Sequence, residues 1–262
     1  VLLGVGAVTA GGFTALTELT DRQQVDNADR GMSALGVTLD SLHRSGDTYR
    51  EPSLTVSDAQ VIYNETMLNI TSDSSSFNNQ LDDLPNSGNI SVDALEHRFE
   101  RPGGDIVVTY EAGAVFRTTS FTPSYGPSFR CESGPNGETQ AIVSVVNLSA
   151  GERIIESDTG TERIDIQPTS LPDGSLTNSE NSQIDFEVER VDTERTVNRS
   201  FDGELQVDVT GTAQPNLWGQ YFANPDNEWK SGGSAGVFHC DADTVLVRVT
   251  TVDISVIQQL SE

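Results

Sequence analysis

The N-terminal stretch Val1 to Leu19 reads VLLGVGAVTAGGFTALTEL. Glu18 is its only charged residue. As a helix, the stretch would be about 28 Å long, which is close to the thickness of the hydrocarbon core of a bilayer. Ala7, Gly11 and Ala15 follow the four-residue spacing of small side chains that lets helices approach each other closely. The stretch therefore predicts a membrane anchor that can also enter a bundle of helices.

The helical pattern continues beyond Leu19, but it becomes amphipathic. Apolar residues recur at alternating spacings of three and four, as in the seam of a heptad pattern. Ser45-Gly46 and Pro52 favour an end of the helix near residue 45. We expect one rod over residues 1–48, whose seam packs partly on the protein's own β domain and partly in helix–helix contacts with neighbouring subunits. The seam residues are Val25, Ala28, Met32, Leu35, Leu39 and Leu42.

From Tyr49 onward the pattern has a period of two, which is typical of strands with one buried face. Apolar and polar residues alternate over residues 184–189 and 205–209, and residues 244–257 are long enough for two strands or one bent strand. Residues 106–117 predict a hairpin. The fold class predicted is α+β, with a hydrophobic-to-amphipathic helix followed by an antiparallel, Ig-like β-sandwich over residues 49–262.

Three shorter segments complete this prediction. Residues 72–89 and 171–182 are rich in Ser, Asn and Asp, and we expect both to be polar surface loops. Residues 216–222 predict a short helix that begins at a capping Asn216. Its aromatic side chains share one face and are expected to pack in the core.

The composition is strongly acidic. The chain has 15 Lys and Arg residues against 40 Asp and Glu residues, a formal net charge of −25, and Lys230 is its single lysine. Such a surface repels phosphate, so no binding to nucleic acid is expected. Excess carboxylate with almost no lysine is typical of halophilic proteins, because molar salt shortens the Debye length to about 3 Å. An ordinary acidic secreted protein is the alternative.

Two cysteines and five sequons point to an extracellular location. Cys131 and Cys240 are far apart and form no metal-binding spacing, so we expect one long-range disulfide, with two buried free thiols as the alternative. Five Asn-X-Ser/Thr sequons predict N-linked glycans. A turn at 64–66 would let both of the first two sequons reach solvent. The sequon residues are Asn64, Asn69, Asn89, Asn147 and Asn198.

Metal and catalytic residues give weak signals. The run His239–Asp243 lacks a recognised ligand spacing, and its Cys240 fits a disulfide better. The acidic turns at 224–228 and 172–174 fit no EF-hand loop and are expected to be hydrated surface. His43 lies near the helix end, where a cation suits the helix dipole. Hydrolase, zinc-protease and P-loop motifs are absent. We therefore predict no catalytic residue, no metal, no cofactor and no enzyme.

The helix followed by an acidic β domain resembles the type IV pilin-like proteins of haloarchaea, above all their larger pilin-like exported proteins. Similar segments are Asp105–Glu111, Ala114–Arg117, Val145–Ser149 and Leu217–Phe222. The resemblance covers the architecture of the whole chain and rests on patterns of hydrophobicity and charge. It implies that a signal peptide is cleaved just before the hydrophobic helix. It also implies that the helices then bundle as a filament core and that the β domains form the outer sheath.

These observations lead to one main expectation and two alternatives. The main one is a structural subunit of an extracellular pilus-like filament, a glycosylated helical homo-oligomer that also meets other pilins and is anchored in the membrane before assembly. The first alternative is a membrane-anchored, minor or tip pilin-like adhesin that binds ligands through loops such as 72–89. The second is a secreted hydrolase tethered by its helix, which no site in the sequence supports.

Overall fold

The computed structural model describes residues 2–45, 47–56, 59–81, 88–134, 136–157, 160–165, 182–224 and 227–259. Within these residues a long N-terminal helix is followed by a β domain of several sheets, as the sequence predicts. Helix α1 runs from Leu2 to Arg44, so its end agrees with the predicted stop. Its 43 residues correspond to a length of about 65 Å. Side chains of α1 are described from Leu19 onward.

The largest sheet has seven strands. Its centre consists of three long strands in the order β12-β16-β10, and short strands extend both edges. The long strands are β10 (Thr139–Ser157), β12 (Ser182–Asn198) and β16 (Thr244–Gln259). The short strands β1 (Tyr49–Arg50) and β2 (Ser53–Val56) pair with β12, and β9 (Ser128–Ser133) and β11 (Gly160–Asp165) pair with β10.

Two smaller sheets lie against the large one. The five-stranded sheet has the order β14-β15-β13-β4-β5 and the four-stranded sheet the order β3-β6-β7-β8. The first contains β4 (Met67–Ser72), β5 (Asn89–Ser91), β13 (Gly203–Asp208), β14 (Lys230–Ser231) and β15 (Val237–Ala242). The second contains β3 (Gln60–Asn64), β6 (Ala94–Phe99), β7 (Ile106–Glu111) and β8 (Ala114–Arg117).

The hairpin predicted within residues 106–117 is confirmed by β7 and β8. Its two connecting residues, Ala112 and Gly113, both have positive φ, 52° and 89°. Positive φ at both central positions is the geometry of a type I′ turn, which matches the twist of the flanking strands. Glycine meets this requirement without strain at Gly113.

The predicted antiparallel sandwich is wrong in two respects. The structure has three sheets, and β10 pairs with β16 in parallel, from Gln140 opposite Thr244 to Glu156 opposite Gln259. Residues 244–259 form one strand, which is the second of the two alternatives that the sequence left open. The alternation of apolar residues shows which face of a strand is buried but not the direction of its partner, so this pairing is invisible in the local pattern.

Two hydrophobic cores lie on opposite faces of the large sheet. In β16, Val245 and Val247 belong to one core, whereas Val252 and Ile254 belong to the other. Odd- and even-numbered residues of a strand point to opposite faces, so the buried face changes half-way along the strand. The same change occurs in β10. We name the first the aromatic core, after Trp218 and the rings around it, and the second the helix core, because α1 covers it.

Two short helices complete the aromatic core. Helix α3 (Pro215–Phe222) confirms the helix predicted over 216–222, and Trp218 and Phe222 are buried. The predicted cap at Asn216 is wrong, because Pro215 starts the helix and Gln214 is the N-cap residue. The loop predicted at 72–89 contains helix α2 (Ser75–Leu81), which buries Leu81 on the core. The other predicted loop, 171–182, lies outside the described residues apart from the first residue of β12.

Candidate assembly helix and the sites around it

The seam of α1 is buried inside its own subunit. All six seam residues are 0–3% exposed and belong to the helix core. Helix α1 lies on β2, β7 and β8 and also contacts β10 and β12. The heptad spacing correctly predicts a buried stripe, but the part of the prediction that places the stripe against neighbouring subunits is not supported. A side chain already covered by its own domain has no surface left for a second helix. These residues are Val25, Ala28, Met32, Leu35, Leu39 and Leu42.

Two glycines let α1 approach the sheets closely. A Cβ atom at Gly31 would lie 2.9 Å from Cδ1 of Leu54, and one at Gly36 would lie 3.2 Å from Cδ1 of Tyr125. Glycine weakens an isolated helix by about 1 kcal/mol relative to alanine, so its presence here requires another reason. That reason is contact with β2 and with the chain after β8. A glycine inside an apolar heptad pattern is the signal that could have indicated these contacts.

Arginines of the β domain hold the N-terminal side of the docked part of α1. Nη2 of Arg101 donates to Oε1 of Gln24 at 3.0 Å and lies 3.4 Å from Oδ1 of Asp21. Nη1 of Arg117 donates to Oδ1 of Asp26 at 2.7 Å. These contacts hold the turn of α1 that leads into Val25, the first residue of the seam.

The C-terminal end of α1 is capped by arginines of the large sheet. Nη1 of Arg190 donates to the carbonyl oxygens of Leu42 (3.1 Å) and Ser45 (2.8 Å), and Nη2 of Arg248 donates to the carbonyl oxygen of His43. Guanidinium groups at this position satisfy unpaired carbonyls and complement the negative end of the helix dipole. Both arginines come from the middle of long strands, and nothing in their local sequence indicates this role.

His43 is not the cation that the sequence suggests. Its Nδ1 and Nε2 atoms lie 2.8 Å from the Thr250 hydroxyl and 2.9 Å from the Ser144 hydroxyl, and its side chain is buried. Burial, followed by the charge of Arg248, lowers the pKa of His43 to about 4. The ring is therefore neutral at pH 7, and the nearby arginines supply the positive charge.

The predicted anchor and its small residues fall largely outside the described side chains. This applies to Ala7, Gly11 and Ala15, although the backbone there is helical. Among helices with described side chains, none is both long and apolar enough to cross a bilayer. Leu19 and Val37 are 59% and 55% exposed. They are separated by five helical turns and lie on the same side of α1, away from the seam.

Four of the five sequon asparagines reach the surface. Asn64 ends β3 and Met67 begins β4, so the predicted turn between these sequons is confirmed. Asn69 and Asn198 are half-buried and Asn89 is exposed. Asn147 is different, because it is only 9% exposed, and its Nδ2 lies 3.4 Å from the Thr251 hydroxyl. A glycan cannot be accommodated at Asn147 in the folded chain, so this sequon is corrected to an interior residue.

The disulfide between Cys131 and Cys240 is present, with the two Cα atoms 5.8 Å apart. It links β9 of the large sheet to β15 of the five-stranded sheet, and both cysteines lie in the aromatic core. The alternative of two free thiols is therefore wrong. The bond joins segments separated by 109 positions, so it restrains a long loop of the unfolded chain.

Among the described residues, one group of potential metal ligands is close together. Ligand atoms of Glu204, His239 and Asp241 all lie within 4.8 Å of one another. Asp241 is already bonded to Nζ of Lys230 at 2.6 Å. This bond lowers the pKa of Asp241 and raises the pKa of Lys230. The single lysine of the chain is thus already paired with one carboxylate of this group. Asp243, the other aspartate of the predicted run, instead accepts a bond from the Thr139 amide at 2.7 Å.

A buried glutamate joins the four-stranded sheet to α3. Glu111 accepts bonds from the Thr66 hydroxyl (2.7 Å), the Ala213 amide (2.7 Å) and Nε1 of Trp218 (2.9 Å). Burial raises its pKa, and these donors oppose that effect. The carboxylate lies just before the first turn of α3, where the positive end of the helix dipole favours negative charge. Because the whole side chain is enclosed by donors, we assign Glu111 a structural role. A lone acid within the apolar residues 106–116 is its sequence signal.

The comparisons with known proteins identify a family. The model of a family of unknown function (DUF7289) matches residues 1–256. The chain belongs to this family. It has no significant match among curated proteins or among solved structures. The DUF7289 match includes α1 as well as all three sheets, so the family model describes the helix and the β domain together.

Proposed function

We propose that this DUF7289 protein is the structural subunit of an extracellular, pilus-like filament in which the first half of α1 forms the filament core. The β domain, with its disulfide and its acidic surface, would form the outer layer. Subunits would be held in the membrane by residues 1–19 before assembly. The protein would act with copies of itself and with other pilins, and it would need no cofactor and catalyse no reaction.

One observation carries this proposal. Helix α1 runs without a break from Leu2 to Arg44, and the seam that it buries on its own β domain covers Val25 to Leu42. The residues before Asp21 are almost uncharged, and apolar helix of that length needs an apolar environment on all sides. Lipid supplies this environment before assembly and a bundle of identical helices supplies it afterwards. Close packing at Ala7, Gly11 and Ala15 would then replace contacts with lipid.

The burial of the seam restricts where neighbouring subunits can meet. Since the seam is used within the subunit, contacts between helices would involve residues 1–24 and the outward side of α1, where Leu19 and Val37 are exposed. A contact between two different patches related by a screw operation does not close, and it therefore generates a fibre. The proposal thus assigns the two halves of one helix to two different tasks.

Features of the β domain support a location outside the cell in concentrated salt. Structural disulfides persist mainly in oxidising compartments, and Cys131 and Cys240 form one. The net charge of −25 suits a medium in which repulsion between carboxylates is screened. Glycans are proposed at the four sequons that reach the surface, Asn64, Asn69, Asn89 and Asn198.

The test is Gly11→Leu, with Gly11→Ala as the matched control. Fibres sheared from cells in high salt would be examined by negative-stain electron microscopy and identified by peptide mass mapping. We expect fibres from the wild type and from Gly11→Ala. We expect no fibres but normal membrane insertion from Gly11→Leu, because the larger side chain keeps the helices apart. Fibres from Gly11→Leu would contradict the packing argument. A wild-type chain found only in membranes, or at trace level in fibres of another protein, would favour the anchored or minor-pilin adhesin.

A further inference from the structure

The face of the large sheet beyond the end of α1 carries no second layer among the described residues. In this half of the sheet the aromatic core covers the opposite face. Every second side chain of β10 and β16 enters that core, and the side chains between them point away from the core. Strand pairing places four of these residues in one row across the sheet: Arg130, Ile142, Leu246 and Val197. The next row contains Ser128, Ser144, Arg248 and Arg195. We name this surface, defined by these eight residues, the arginine face.

The apolar part of the arginine face is a short strip across three strands. Val197 is 38% exposed, and Ile142 and Leu246 are half-buried. Adjacent strands are about 4.8 Å apart, so the three side chains form a continuous strip about 10 Å long. A half-buried strip in the middle of a sheet gains free energy when a further layer covers it.

The guanidinium groups around the strip differ in how they are engaged. Arg248 donates to the end of α1, and Arg44 beside it bonds to Asp40 at 2.8 Å. Arg130 and Arg195 are exposed and have no hydrogen bond or ion pair within the part of the chain that the structure describes. Burial lowers the pKa of Arg248, the charges of Arg190, Arg195 and Arg44 lower it further, and Asp40 is the one neighbouring charge that raises it.

This concentration of arginine contrasts with the rest of the molecule. Five of the fifteen basic residues of the chain lie on or beside the arginine face, which leaves ten basic residues for the rest of the chain, where 38 of the 40 acidic residues lie. These five are Arg44, Arg130, Arg190, Arg195 and Arg248. Two acidic residues lie close to the arginine face: Glu132, two positions beyond Arg130, and Asp40, which is paired with Arg44. The rest of the molecule is strongly acidic. The acidic surface of a second copy of the chain is therefore opposite in charge to the arginine face.

We propose that the arginine face docks a carboxylate-rich surface of a second copy of this chain. The inference deepens the proposed filament, on which it rests, by naming a contact between β domains. In molar salt only charges in direct contact attract each other appreciably. Arginine suits this condition, because its guanidinium group binds a carboxylate in bidentate fashion while its stem covers apolar surface. The contact is heterologous, since arginine-rich and acid-rich surfaces are different patches of one subunit, and it therefore propagates along a fibre.

The test uses a photo-reactive phenylalanine analogue in place of Val197 in the full chain, expressed in cells and irradiated in high salt. Two double variants are compared in this background. Arg130→Glu with Arg195→Glu changes the arginine face, and Arg50→Glu with Lys230→Glu makes the same change of charge at exposed residues away from it. Fibres are counted in parallel by electron microscopy. Melting temperatures of the two double variants within a few degrees of each other would show that both fold.

We expect the Val197 probe to cross-link to an acidic segment of a second copy. The cross-linked product should fall at least tenfold in the Arg130/Arg195 double variant and remain in the control. Fibres with no such cross-link, or with cross-links to a different protein, would overturn this inference and leave the filament standing. The same cross-link without fibres would overturn the filament and retain a contact between copies. Absence of both fibres and cross-link would overturn both, and equal cross-linking in the two double variants would overturn the role of the arginines.

Discussion

The two cores of this protein are built by different means. The aromatic core surrounds Trp218, whose ring stacks on Phe129 and Phe222 at centroid distances of 5.3 Å and 6.0 Å, and it includes the disulfide. The helix core is mainly aliphatic, and α1 closes it with six side chains from one element. The aromatic core is thus held by short elements from many parts of the chain, whereas the helix core depends on one helix. The difference indicates that detaching α1 would open one core and leave the other closed.

The largest effect should follow from removing α1. Deletion of residues 1–44 exposes the apolar surface of β2, β7 and β8 on which α1 lies, and burial of that area drives folding of the helix core. We expect hydrogen exchange to become fast in β6 and β7 and to stay slow in β13 and β15. Deletion of residues 1–20 is the control, because it leaves the whole seam from Val25 to Leu42 in place. Equal loss of protection in both cores would show that the molecule has one cooperative core.

The second effect concerns the aromatic core. Replacing Cys131 and Cys240 together by Ser releases a loop that spans 109 positions. The chain-entropy model gives a loss of about 4–5 kcal/mol in the free energy of unfolding. Urea unfolding would measure this loss, and the rates of amide hydrogen exchange in α1 would serve as the internal control. If α1 loses protection as much as β13 and β15 do, the two cores are coupled through the large sheet.

Acid should weaken the helix core first. His97 lies beside Phe99 with its ring buried, and burial lowers its pKa from 6.5 to about 4, the same value as for His43. The unfolded chain therefore takes up protons below pH 6.5, whereas the folded chain does so only near pH 4. Stability conferred by the neutral rings is thus complete above pH 6.5 and is lost as the pH falls from 6.5 to 4. Urea midpoints between pH 7 and pH 5 would show the slope.

His97→Phe is the variant that isolates this effect. Phenylalanine keeps the stacking on Phe99 and cannot be protonated, so the dependence of stability on pH should become shallower. The change removes no hydrogen bond within the described residues, because both ring nitrogens of His97 lack one. An unchanged slope between pH 7 and pH 5 would assign the acid sensitivity to other groups.

The smallest effect should come from the ion pairs that flank α1. Arg117→Gln removes the contact with Asp26, and exposed pairs of this kind contribute below about 1 kcal/mol. Leu39→Ala, which empties a fully buried position of the seam, should cost about 2–5 kcal/mol and is the matched comparison. If the Arg117 variant lost as much as the Leu39 variant, docking of α1 would depend on charge rather than on apolar burial.

The pattern of apolar and polar residues in short segments predicted much of this fold. The features that it did not predict depend on pairing between strands that are far apart in the sequence. The heptad seam, the end of α1, the hairpin at 106–117 and the helix at 216–222 depend on neighbouring residues, so their signals are contained in short segments. The parallel pairing of β10 with β16 has no such signal. The burial of Asn147 follows from it, because that residue lies where β10 changes its buried face.

The candidate sites could not be predicted from short segments of sequence either. Glu111 is held by donors from residues 66, 213 and 218, and only the folded chain brings them together. The arginine face is spread over four strands whose order cannot be read from their spacing in the sequence. A disulfide was predictable because the chain has only two cysteines, which leaves a single pairing.

The position of β16 has a consequence for the order in which the chain folds. This strand comes after all the other described strands, yet it lies at the centre of the large sheet between β10 and β12. Pairing Gln140 with Thr244 closes a loop of about a hundred residues, and contacts of such separation slow folding because their entropy is lost before other contacts compensate for it. During synthesis, β10 and β12 emerge before β16, their shared partner. The centre of the large sheet therefore forms only after residues 244–259 have been made.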